Sequence, residues 1–171
     1  MTGIIASPPQ PASPPASVVA ADGGFWPGVD VNGLRAALRL GDGVVTHERL
    51  VGAIEGALAG LMLELRPWRA LQIAAGAATL DAVEPEAQLN GDPMAVALWA
   101  RAVRFRTAAE ISDAYADLTA TDEGGQRGAE RRVVADDYRR MATAAERHLT
   151  RLGAQDAASS AAAGGCLVDL I

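Results

Sequence analysis

The chain contains no lysine, one cysteine, and only 4% aromatic residues. All 15 basic side chains are arginines, which we read first as a GC-rich coding bias. A single cysteine, Cys166, excludes an internal disulfide and fits a reducing compartment. Positive charge is also in short supply. The net charge is −6 and the pI about 4.9, which argues against a general nucleic-acid binder, since that needs a basic stripe for phosphates. The opening MTGIIASPPQ lacks the basic and apolar regions of a signal peptide. The greasiest run, LVGAIEGALAGLMLEL, is too short and, with Glu55 and Glu64, too charged to span a membrane.

What is present is alanine and helical periodicity. Half the residues are hydrophobic, many of them alanine, enough for one helical core built from small side chains. Residues 1–24 read as an extended proline-rich arm, with Asp22 its only charge. Its P-x-x-P spacings, Pro8 to Pro11 to Pro14, lack the flanking arginine of an SH3 ligand and read as linker.

Residues 25–152 read as the folded domain. Phe25 and Trp26 are followed by Asp30, a cap for a short helix over VNGLRAALRL with Val31, Leu34 and Leu38 on one face. Arg35 and Arg39 fall on another face, and GDG at 41–43 reads as a turn. Thr46 caps a second helix whose Leu50, Ile54, Leu58, Leu61, Met62 and Leu65 form a core stripe. Glycines 52, 56 and 60 recur every fourth residue and allow another helix or a second subunit to approach closely. Pro67 breaks or kinks that helix, and RALQIAAG continues beyond Trp68. Asp92-Pro93 reads as N-cap and first position of a long third helix to about Leu118. Val96, Trp99, Val103, Ile111 and Leu118 mark one of its faces, and Leu98 and Phe105 a second, so this helix is expected at the centre. TATDEGGQRG reads as a loop. A fourth helix then runs from about Ala129 to Leu152, its apolar line read as Val134, Tyr138, Met141, Ala145, His148 and Leu152, with Gly153 at the C-cap. No run shows strand alternation. The expected fold is all-α: a small bundle of three long helices and one short one, with extended N- and C-terminal arms.

Residues 153–171 read as a flexible linker ending in GCLVDLI. Burying four aliphatic side chains of that ending contributes about 6–12 kcal/mol. Ordering seven residues costs about 7–14 kcal/mol. The two nearly cancel, so such a tail holds weakly unless strand addition or repetition around a ring assists it.

No constellation for catalysis emerges, and no cofactor or metal site is expected. His47-Glu48 begins like a zinc-protease helix, but the required second histidine is replaced by Val51. His148 reads as a core or interface histidine, and Cys166 has no basic neighbour to activate it. Asp136 and Asp137 point about 100° apart on a helix and so share no proton site. Arg132 and Arg140, each four residues from Asp136, read as its ion-pair partners, and Arg106 and Glu110 as another pair. Glu84 and Glu86 read as a solvated loop. Arg101, Arg104, Arg131, Arg132, Arg139 and Arg140 are candidates for DNA phosphate or for carboxylates of a neighbouring subunit.

The order of these pieces carries a resemblance. FWPGVDV leading into LRAALRL, then THERLVGAIEGALAGLMLEL with its following WR, AGAATLDAV, LNGDP, the alanine-rich helix to Tyr115, DDYRRMATAAERHL and the Cys-Leu-Val ending stand in sequence. The chain thereby resembles the head completion proteins of Peduovirus-type contractile-tailed phages. The resemblance implies a structural virion protein at the head–tail interface, made in the host cytoplasm, with no enzymatic role. It implies a ring, typically of twelve copies, below the portal protein, with a tail-side neck or terminator protein beneath and double-stranded DNA passing through without sequence-specific binding. The lumen is then expected to be acidic or neutral, given the charge of −6. Cys166, Leu167, Val168, Leu170 and Ile171, with Phe25 and Trp26, are the expected contacts to portal or neighbouring subunit. A cytosolic helical adaptor binding partners through its arms is the competing reading, and a small enzyme a distant third.

Overall fold

The structure, a computed structural model, describes residues 18–41, 45–117 and 122–154; of 116–117 and 122–131 it describes the backbone. The described residues form five α-helices: α1 (Val31–Ala37), α2 (His47–Glu64), α3 (Arg66–Ala74), α4 (Met94–Asp117) and α5 (Asp122–Arg151). A 3-10 turn spans Leu80–Ala82. Four two-residue strands pair antiparallel, β1 (Val18–Val19) with β2 (Val29–Asp30) and β3 (Gln88–Leu89) with β4 (Asp92–Pro93). The chain is mostly helical, as expected, but the element list differs. The strands are too short to leave an alternating pattern.

The local signals act largely as their chemistry dictates. The Asp30 carboxylate accepts from the Asn32 N–H at 3.0 Å and caps α1. Thr46 Oγ1 accepts from the Arg49 N–H at 3.4 Å and caps α2. Pro67 does separate two helices: α2 ends at Glu64, and proline occupies the first turn of α3, where its absent N–H costs nothing. Gly153, at φ +66°, takes the left-handed position past α5.

Two starts differ from the sequence expectation. Asp92-Pro93 pairs with β3 instead of opening α4, whose first residue, Met94, donates its N–H to the Ala87 carbonyl at 2.8 Å. A strand bond thus takes the place of the side-chain cap. The helical backbone of α5 begins at Asp122 and runs through glycines 124, 125 and 128, read above as loop. Glycine costs about 1 kcal/mol each in a helix, too little to end one this long.

Helix α4 is central. One face carries Trp99, Val103 and Ile111 and packs toward α2; the other packs on α5 in the largest interface of the domain. The ion pairs Arg106–Glu146 and Asp113–Arg139 run in opposite order along the two helices, so α4 and α5 are antiparallel. Their seam follows a heptad. Ala95, Leu98, Ala102, Phe105, Ala109 and Ser112 repeat at three and four on α4. Ala135, Tyr138, Ala142, Ala145, Leu149 and Leu152 do so on α5. Ala102, Ala135, Ala142 and Leu149 are fully buried. The line through Val134, Met141 and His148 is therefore not the seam; all three are exposed. Alanine wins the interface because a small side chain lets two backbones approach, whereas a larger apolar residue one step round the helix is left outside.

Candidate functional site

The end of the arm, from Val18 on, packs against the helices. The Asp22 carboxylate accepts from the N–H groups of Gly24 and Trp26, both at 3.1 Å, and pairs with Arg69 on α3 at 3.0 Å. Arg69 also lies 5.7 Å above the Phe25 ring. These bonds turn Phe25 and Trp26 inward, where each is only 2% exposed. Trp26 stacks on Trp99 with centroids 4.2 Å apart and lies 6.1 Å from Trp68. Phe25 meets Trp26 edge-on at 4.8 Å. The Trp99 indole N–H donates to the Pro27 carbonyl at 3.4 Å, and the Leu80 N–H to the Phe25 carbonyl at 3.0 Å. Expected as partner contacts, Phe25 and Trp26 are instead the peg that closes the domain's own core. Two adjacent aromatics beside a turn carry too much apolar area to stay outside when a helix face can bury them.

The second cluster is charged. Arg106 on α4 pairs with Glu64 on α2 and lies 3.4 Å from Glu146 on α5, joining three helices. It does not take the expected partner Glu110. Glycines on α2 make room: a Cβ at Gly60 would meet Arg106 Nη2 at 3.3 Å, and one at Gly56 would meet Glu110 Oε2 at 2.5 Å. Gly52 faces open space. The glycine spacing thus serves the α2–α4 approach at two of its three positions. Burial holds the Glu146 carboxyl above its usual range, against the pull of Arg106 and with help from neighbouring Glu64. Burial likewise raises Glu110.

The remaining arginines divide. Arg139 on α5 bonds Asp136 at 2.6 Å and also pairs with Asp113 on α4. Arg140 pairs with Asp137, which holds its guanidinium above the usual range. These i, i+3 pairs replace the expected bond between Asp136 and Arg140. Arg101 lies 5.0 Å over the Phe105 ring, which stacks on Tyr138. Arg104 is exposed at the rim of an apolar cleft, and Arg132 is exposed on α5. The Arg131 side chain lies outside the described residues, as do Leu118, most of the 41–43 turn, and Cys166, Leu167, Val168, Leu170 and Ile171. Arg35, expected on a face apart from the apolar one, is buried and donates Nη1 to the Val45 carbonyl at 2.8 Å.

Sequence reasoning missed Glu84. Read as a solvated loop residue, it is half-buried, and its carboxylate accepts from the Gly153 N–H. The Leu152 carbonyl accepts from the Trp68 indole N–H at 3.2 Å. The end of α5 is thus fastened to the aromatic corner. Only its left-handed glycine was visible as a local signal; partners 69 and 84 residues away leave none.

Among the described residues no His, Cys, Asp and Glu cluster could hold a metal, and no helix is long and apolar enough to cross a membrane. The described sites are packing and ion-pair sites within a small helical domain. The chain belongs to the phage head completion protein (GPL) family, whose model matches residues 20–158. No curated protein and no solved structure matches it. Family membership makes it a structural protein of the phage head, in the virion and in contact with other virion components.

Proposed function

We propose that this protein forms a ring below the portal, completes and stabilises the DNA-filled head and connects it to the tail. The observation that carries the reading is the family match over residues 20–158. A ring subunit needs two unlike side surfaces that close on copies of themselves. The exposed aliphatics Val133, Val134 and Met141 on the outer side of α5 are suited to one of them. Arg139 and Arg140 already hold carboxylates within the chain, which favours a bore that DNA passes without being gripped. Arg101 and Arg104 remain for phosphate or for a carboxylate on another chain. With Phe25 and Trp26 committed to the core, the contacts to portal or neighbouring copy fall to Cys166, Leu167, Val168, Leu170 and Ile171.

The test is co-expression with the portal followed by mass measurement. The expected product is a portal-bound ring of about 200 kDa in added mass, as for closed rings of small subunits. A monomer that never engages portal would refute the reading.

A further inference from the structure

Between β2, α1 and α4 lies an apolar cleft of about 230 Å³. Val29, Leu34, Val96, Trp99 and Val103 line it; its charged lining residues are Arg104 and Asp30, and the Asp30 carboxylate is engaged in capping α1. Leu34, Trp99 and Val103 are buried, whereas Val29 and Val96 are half-buried and still open to the cleft. An apolar cavity of about 150 Å³ takes one benzene ring. This one therefore suits about two aliphatic side chains.

The chain itself carries such a pair. In an extended segment Val168 and Leu170 point to the same side, with Asp169 between them. The route is short. The Leu152 carbonyl is bonded to the Trp68 indole, and ring-to-ring steps of 6.1 and 4.2 Å lead from Trp68 through Trp26 to Trp99. Trp99 is a wall of the cleft. From Ala154, the thirteen residues to Leu167 reach on the order of 40 Å when extended.

We propose that the cleft is the resting seat of the same chain's own ending: Val168 and Leu170 fill it, and Asp169, on the outward side of the extended segment, meets the exposed Arg104 at the rim. Arg104 has no ion-pair partner among the described residues, which leaves it for that carboxylate. The weak balance of the tail matches this role. Tethering through a short stretch of chain supplies an effective concentration of about millimolar, enough to seat a segment that binds poorly as a free peptide. A larger surface on another chain can then draw it out. The seat does not depend on the portal reading, since it concerns the undocked protein.

The test uses the full chain and the NMR signals of the three tryptophan indoles. Changing Val168→Ser with Leu170→Ser is expected to shift the Trp99 indole signal strongly and the Trp68 signal less. In a chain carrying Ala100→Phe, an exposed cleft-lining position, the same two changes are expected to shift nothing. Asp169→Arg is expected to reproduce part of the Trp99 shift, and Arg104→Glu combined with it to restore the wild-type position. An unmoved Trp99 signal overturns the proposal. A shift that fades on dilution overturns it too, because the seated segment then belongs to a second copy. Failure to bind portal with the Trp99 shift intact would strike the proposed function and leave this seat standing.

Discussion

On one flank of α4, a few large rings do the holding; on the other, a row of alanines does. The first flank gathers Phe25, Trp26, Trp68 and Trp99 from the segment before β2, α3 and α4, with stacked and edge-on contacts between 4.2 and 6.1 Å. The second sets Ala95, Ala102 and Ala109 against Ala135, Ala142 and Ala145, all nearly or fully buried. Rings close irregular gaps between segments that approach at different angles. Alanines serve two long helices that run side by side, where the gain per residue is small and is repeated every turn. The aromatic corner should therefore fail sharply at one residue, and the seam should tolerate deletion of volume poorly and addition of volume no better.

The largest effect is expected at Trp99. Trp99→Ala should cost about 3–5 kcal/mol, read as a lowered urea midpoint, because it empties the centre of the ring stack. A loss below about 1 kcal/mol would mean the corner is an ornament on a core held elsewhere. Next comes the seam: Ala102→Leu should cost about 1–3 kcal/mol by overpacking two backbones. If it stabilises instead, the helices are not in close approach there. Thr107, on the α2 side of α4 between Val103 and Ile111, is fully buried, and its hydroxyl has no partner among the described residues. Thr107→Val should raise stability by about 1 kcal/mol, since an unsatisfied buried hydroxyl is replaced by a methyl.

The smallest change concerns the charges that bridge both flanks. Burial raises the carboxyls of Glu146 and Glu110 in the folded chain. The folded state then holds protons that the unfolded state has released, so their contribution is full below the unfolded value near 4.5 and is lost as pH rises through the folded value. Stability attributable to this pair should thus improve as pH falls from neutral toward that value. Glu146→Gln should be nearly neutral or slightly stabilising at pH 7 and should flatten the slope. A marked loss at pH 7 would show that the bond to Arg106 outweighs burial.

The sequence was most legible where a signal is local or periodic. Asp30, Thr46, Pro67 and Gly153 act within a few residues of themselves, so their caps and breaks are where they were expected. The α2 stripe through Leu50, Ile54, Leu58 and Leu61 is buried because its residues are both large and correctly spaced. On α5 the same reasoning went wrong. Val134 and Met141 outrank alanine on any scale of hydrophobicity, yet the helix turns Ala135 and Ala142 inward, because the partner's alanines leave no room for more. Arg106 shows the other failure. Its i, i+4 neighbour Glu110 was the obvious partner, but α2 and α5 deliver Glu64 and Glu146, and nothing in the spacing encodes a helix from elsewhere. The inward burial of Phe25 and Trp26 was hidden for the same cause, since Trp68 and Trp99 come from distant stretches.

The proposed function has this chain dock on the portal through its last residues. Portal pull-down with the full chain and with a chain lacking residues 166–171 tests it most directly. The account predicts capture of the full chain and loss of capture on truncation, with helical content unchanged. Equal capture of both would contradict it.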